Sequence, residues 1–117
     1  MKMRVSIFLI ALFSIVSANA QVIIPRIDTT VKVGKVGYKV TCKNKKVDEN
    51  ELDVRPIGFD NEAKPMDFML RGRVAKAEID DLNSDGYPDL VLYVYMDSSA
   101  VFGTVYAFVS KENKTFI

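Results

Sequence analysis

The chain has 117 residues, with 16 Lys and Arg against 15 Asp and Glu, no His, and one Cys at position 42. Without His, imidazole acid/base catalysis, His-activated Ser or Cys nucleophiles and nearly all zinc sites are excluded, and one Cys excludes an intrachain disulfide. A near-neutral chain also has no electrostatic reason to seek nucleic acid or anionic lipid.

Residues 1–20, MKMRVSIFLIALFSIVSANA, carry two cations, an apolar run from Val5 to Val16, and small residues at Ala18 and Ala20 ahead of Gln21. This is the pattern of a secretory signal with an A-x-A cleavage site. The run of 12 residues falls short of the roughly 20 that a membrane helix needs. The expectation is an exported protein, periplasmic or secreted, that does not span a membrane after the leader is removed. Cleavage takes Lys2 and Arg4 and no acid, leaving 14 cations against 15 acids. About 97 residues remain, enough for one domain over 21–117 and hardly for two.

Beyond the leader, period-2 alternation recurs at short intervals. In YKVTCK, Tyr38, Val40 and Cys42 alternate with Lys39, Thr41 and Lys43, which makes Cys42 a buried, inert thiol, with an intermolecular bridge as the alternative. Leu52 and Val54 oppose Asp53 and Arg55, and Pro56 marks an edge or a strand end. Met66, Phe68 and Leu70 share a face, and Gly72 permits a turn. Ala75, Ala77 and Ile79 oppose Lys76, Glu78 and Asp80.

Residues 89–96, DLVLYVYM, are apolar on both faces, as in a strand covered on both sides. Residues 101–111 read as a second long strand. Polar turn segments such as KNKKVDEN, FDNEAKP and LNSDGYP separate these runs. The expected class is all-β: an antiparallel β-sandwich, or a small barrel, of about six short strands.

Two segments carry candidate chemistry. In DLNSDGYPD, side-chain oxygens fall at Asp81, Asn83, Asp85 and Asp89 around Gly86, and alternate residues of a tight loop can converge on Ca²⁺. An EF-hand is excluded, because Leu92 stands where a bidentate Glu is needed and Pro88 leads into a strand. The loop is closer to the calcium loops of integrin-type β-propeller blades, which one copy cannot build. The simpler alternative is a turn in which Asp81, Asn83 and Asp85 bond to backbone amides and Gly86 takes positive φ. Calcium is therefore open as a ligand, and no cofactor is required.

The second segment is MDSSAVFGTVYAF, a short polar tip with an aromatic and a Gly before a return strand. With VKVGKVGYKV, LDVRPIGFDNEAKP, GRVAKAEIDDLNSDGYPDLVLYVY and FGTVYAFVS, it resembles the periplasmic inhibitors of i-type (invertebrate-type) lysozyme over roughly residues 31–112. Gly72 to Tyr95 is the most specific part.

The resemblance implies a non-catalytic β-sandwich that protects bacteria from host lysozyme by inserting a loop with an S-G-x-Y pattern into the enzyme's cleft. The matching residues are Ser99, Ala100, Val101 and Phe102, so Gly is replaced by Ala and Tyr by Phe. Phe102 keeps the aromatic wedge and lacks the hydroxyl. A hydrogen bond to a charged partner contributes about 1.5–3 kcal/mol, so inhibition is expected to be weaker by roughly tenfold or more. Ala100 is expected to forbid the positive φ that Gly adopts cheaply. Ser98 and Tyr106 are the nearby hydroxyls that could compensate, and Gly103 closes the tip.

The family's members also continue beyond the strand matching 101–110, so one or more C-terminal strands are expected to be missing. That would leave an unpaired edge and a homodimer open. The leading expectation is thus an exported lysozyme inhibitor acting through Asp97 to Gly103. A calcium-dependent adhesion or surface module is the alternative, and an enzyme, for which only paired carboxylates would be available, ranks last.

Overall fold

The computed structural model describes residues 22–60, 63–100 and 102–117; the leader expected over residues 1–20 lies outside them. Among the described residues all regular structure is β, and all pairing is antiparallel. Strands β1 (Ile27–Val33), β2 (Val36–Cys42), β3 (Asn50–Ile57) and β4 (Met66–Leu70) form one sheet in that order. A second sheet holds β5 (Arg73–Asp80), β6 (Asp89–Tyr95) and β7 (Gly103–Phe108), and β8 (Ser110–Lys111) pairs with β9 (Thr115–Phe116). No helix among the described residues is long and apolar enough to cross a membrane.

Most of the rows selected by period 2 face the core. Tyr38, Val40 and Cys42 of β2, Leu52 and Val54 of β3, and Leu70 of β4 join Val74, Leu90, Leu92, Val94 and Phe108 of the second sheet in one core. Rings close one end of it: Tyr38 packs edge-on against Phe59 and Phe116 with centroids 5.4 and 5.6 Å away. Such pairs contribute about 0.5–1.5 kcal/mol beyond burial. Phe116 thus sits in β9 and is buried. Cys42 is a buried free thiol whose pKa burial pushes up, as an unreactive core cysteine requires.

Four elements depart from the sequence reading. β1 carries no strict apolar alternation and was not anticipated; it is recruited by pairing along the whole of β2, from Ile27 opposite Cys42 to Val33 opposite Val36. Pro56, read as an edge or a strand end, does sit at an end: it is the last residue but one of β3, past the Val54–Met66 pair at which β4 begins. The proline therefore has a neighbouring strand on one side only, beside Tyr38, and its missing N–H disrupts no continuous ladder.

In β5 the register shifts between Val74 and Lys76, and this bulge leaves Ala75 exposed instead of on the inner row with Ala77 and Ile79. β6 is covered on both sides only near its start: Asp89 and Val91 are buried on the outer row, whereas Tyr93 is exposed. Finally, the strand read over 101–111 is broken after Phe108, where Val109 and Ile117 exchange backbone hydrogen bonds of 2.7 and 3.1 Å.

The two sheets are joined at Gly72, between β4 and β5. Its φ is +110°, and a Cβ there would meet the Tyr95 carbonyl oxygen at 2.5 Å. Two buried asparagines from the KNKKVDEN segment hold this junction. Asn50 donates to the Gly72 carbonyl (2.7 Å), and Asn44 both donates to the Val74 carbonyl (2.8 Å) and accepts from the Val74 amide (2.9 Å). They fix where β5 starts, and so where Arg73 points.

Candidate functional site

The two candidate loops lie at opposite ends of β6. The Asp-rich loop joins β5 to Asp89, and the tip joins Tyr95 to β7. Asp89 and Tyr95 are six steps apart along the seven-residue strand β6, about 20 Å at 3.3 Å per residue. The carboxylates of one and the hydroxyls of the other therefore do not meet.

In the Asp-rich loop the carboxylates bond to amides. Asp81 accepts from the amides of Asp85 (3.2 Å) and Gly86 (2.8 Å), and Asp85 from that of Tyr87 (2.9 Å). Ser84 and Gly86 have φ of +57° and +87°, which makes the sharp bend. Asn83 is exposed. Asp89 differs from the others, being fully buried, with one oxygen accepting from the Leu82 amide and the other from the Ser110 amide, both at 2.8 Å. It thereby ties the loop to the β8–β9 hairpin. The Tyr38 hydroxyl donates to the neighbouring Pro88 carbonyl at 2.9 Å, and burial, reinforced by the Asp89 carboxylate, pushes the phenol well above its usual range. Asp81, Asn83, Asp85 and Asp89 are the donors a calcium ion would need. Among the described residues, however, no three His, Cys, Asp or Glu side chains are placed to hold a metal.

The tip is built differently. The Met96 amide donates to the Phe102 carbonyl (3.0 Å), carrying the β6–β7 ladder one step further, and the Ala100 amide donates to the Asp97 carbonyl (3.4 Å). The Asp97 side chain closes the turn, with one oxygen accepting from the Phe102 amide at 3.1 Å and the other from the Ser99 hydroxyl. Ala100 has φ +55°, which corrects the expectation that alanine forbids positive φ here: the residue adopts the left-handed conformation. The surrounding hydrogen bonds outweigh a penalty of about 1 kcal/mol. Phe102 is consequently held out with 72% of its surface exposed; Ser98, Ser99 and Gly103 are exposed beside it.

Tyr106 is not part of the tip. It lies three residues along β7 from Gly103, opposite Leu92, and packs against the core.

Two further contributors were not visible in the sequence. Arg73, 4% exposed, donates from Nη1 to the Val22 carbonyl (2.9 Å) and from Nη2 to the Asp97 carbonyl (2.7 Å). The Val22 amide in turn donates to the Ser98 carbonyl (3.2 Å). The first described residue of the chain thus runs against the tip, with a buried guanidinium bridging the two. An isolated Arg in an alternating strand gives no sign of this, because the β-bulge that follows it is not encoded by a Gly or Pro. Compared with known proteins, the chain matches no family, no curated protein and no solved structure.

Proposed function

We propose that this is an exported inhibitor that binds a lysozyme, most readily of the i-type, by inserting the tip from Asp97 to Gly103 into the enzyme's cleft. It acts by binding and not by catalysis, in the periplasm or outside the cell. The observation that carries this reading is Phe102, a large aromatic side chain held outward by a turn whose backbone is already closed by Asp97 and Arg73. A rigid aromatic on an ordered turn is a low-entropy anchor for a pocket. Ser99 now donates to Asp97, and on binding the same hydroxyl would transfer to a catalytic carboxylate of the enzyme, with little reorganisation of the loop.

The test is muramidase activity of i-, c- and g-type lysozymes titrated with chain 21–117. The i-type enzyme is expected to be inhibited, Ser99→Ala to weaken inhibition, and Phe102→Tyr to strengthen it by about tenfold, the equivalent of one charged hydrogen bond. Full activity of all three lysozymes at saturating protein would refute the proposal.

A further inference from the structure

The two larger sheets have their edges at β1, β4, β5 and β7. An edge with unpaired N–H and C=O groups is a template for another chain unless charge, Pro, a bulge or shortness blunts it. β1 carries Asp28 and Lys32; β4 is short, carries Asp67 and follows Pro65; β5 has its bulge together with Lys76, Glu78 and Asp80. β7 has none of these devices. From Phe102 to Val109 there is no charged residue and no Pro, and among the described residues β7 is paired on one side only, with β6.

The open side of β7 has a definite pattern. The Met96 amide donates to the Phe102 carbonyl at 3.0 Å, so the backbone groups of Phe102 face β6, and the alternation of an antiparallel ladder gives Thr104, Tyr106 and Phe108 the same orientation. Gly103, Val105 and Ala107 therefore turn their N–H and C=O groups to the open side. Val109, next in that series, exchanges its bonds with Ile117, which sets the limit of the open stretch. On the outer face, where Gly103 has no side chain, lies a hollow of about 150 Å³ bounded by Tyr93, Tyr95, Thr104 and Val105. Val105 stands beside it, 57% exposed.

We infer that this edge pairs with the same edge of a second copy of the chain, antiparallel about a two-fold axis at Thr104. With Thr104 opposite itself, Gly103 lies opposite Val105 of the second copy, and Val105 opposite its Gly103. Each of these pairs exchanges both N–H and C=O groups, and each Val105 enters the hollow at the other copy's Gly103. On the inner face the exposed ring of Phe102 comes opposite Tyr106 of the second copy, an aromatic cross-strand pair. Placing Val105 opposite itself instead would drive Phe102 toward the position of Ile117 and leave the hollow empty.

The occupant is a second copy because knob and hollow, donors and acceptors all lie on one surface, the condition for a closed two-fold contact. With no charge on the edge, no like charges meet across the axis. The contact is small, so association is weak and reversible. Because pairing covers Phe102, the single chain is the form that presents a free tip. That corollary rests on the lysozyme reading; the pairing itself does not.

Sedimentation equilibrium of chain 21–117 from about 1 μM to about 1 mM, the range in which weak contacts dissociate, tests the pairing, with amide hydrogen exchange on the same samples. The expected mass rises from one chain toward two. Exchange at Gly103 and Val105 slows about tenfold once nine chains in ten are paired, whereas Thr104 and Tyr106, bonded to β6, are protected at every concentration. Val105→Lys puts a charge on the edge, and Val105→Pro removes an N–H that faces the open side and so spares the β6–β7 ladder. Both should remain single folded chains throughout.

A wild-type mass of one chain over the whole range would overturn the inference. So would a dimer that persists in both variants, or one that leaves Gly103 and Val105 unprotected. A lysozyme titration keeps the two proposals apart: if neither wild type nor Val105→Lys inhibits while wild type dimerises through these amides, the lysozyme reading falls and the edge pairing stands.

Discussion

Replacing Asp89 distinguishes a structural carboxylate from a metal ligand. Its side chain is fully buried, and its two oxygens each accept one amide hydrogen bond of 2.8 Å, from Leu82 and from Ser110. Asp89→Ala leaves both amides without an acceptor, at about 1–3 kcal/mol each, and opens a small cavity, so the expected loss is about 3–5 kcal/mol. That is a large share of the roughly 5–15 kcal/mol typical of a domain, and it lowers Tm by about 15 °C or more at this size. Asp89→Asn keeps one acceptor and turns an NH₂ toward the other amide, for an expected loss of about 2–3 kcal/mol. Asp81→Ala, whose two hydrogen bonds are exposed, should cost about 1 kcal/mol. Urea denaturation of the three variants, with and without EDTA, measures the order. Asp89→Asn within 0.5 kcal/mol of wild type (about a third of a hydrogen bond), or losses at Asp81 and Asp89 that are equal and vanish in EDTA, would refute the reasoning.

The closed hydrogen bonding of the Asp81 to Asp89 loop predicts that millimolar calcium leaves Tm unchanged; a rise reversed by chelator would show that the loop takes the ion. Ala100→Gly should stabilise the protein by about 1 kcal/mol, because Gly adopts the +55° φ without strain, and a lower urea midpoint would count against the tip conformation. Tyr38 has a phenol pKa raised above its ordinary 10.0. Its contribution to stability is therefore complete below pH 10 and is lost as the pH rises further, because the unfolded chain ionises first. Tyr38→Phe, missing the bond to Pro88, should be less stable by about 1 kcal/mol at pH 7, yet lose less stability than wild type between pH 10 and pH 11.5; parallel pH profiles would contradict the assignment.

The all-β class and most of the inner rows were legible because burial on one side of a strand imposes a period of two that no other element shares. Leu52 and Val54, Met66 and Phe68, and Leu90 and Leu92 follow it directly. Legibility failed where pairing or tertiary contact overrides the local pattern. β1 is defined by β2, and the displacement of Ala75 by a bulge. Asn44 and Asn50 lie in a segment whose composition signals only a turn, although both are buried and hold the sheet junction. At the candidate site the sequence marked the exposed residues of the tip, Ser99 and Phe102. It gave no sign of what lies beneath them, because Arg73 and Val22 reach the tip from 24 and 75 residues away along the chain.

Arg73 gives that tip its particular form. A buried guanidinium loses several kcal/mol of hydration, and here two nitrogens are satisfied by the carbonyls of Val22 and Asp97 while Nε has no hydrogen-bond partner. As a contribution to stability alone, an apolar side chain of similar volume would serve as well or better. What the guanidinium supplies is geometry: its planar fork fixes two carbonyls from distant segments at a set spacing, a constraint that an apolar side chain does not impose. One of those carbonyls belongs to Asp97, the residue whose side chain orients Ser99 and the Phe102 amide. The position of the exposed phenyl ring is thus set by a chain of contacts that runs from Asn44 through Val74 and Arg73 to Asp97. The segment at Val22 is one of its anchors.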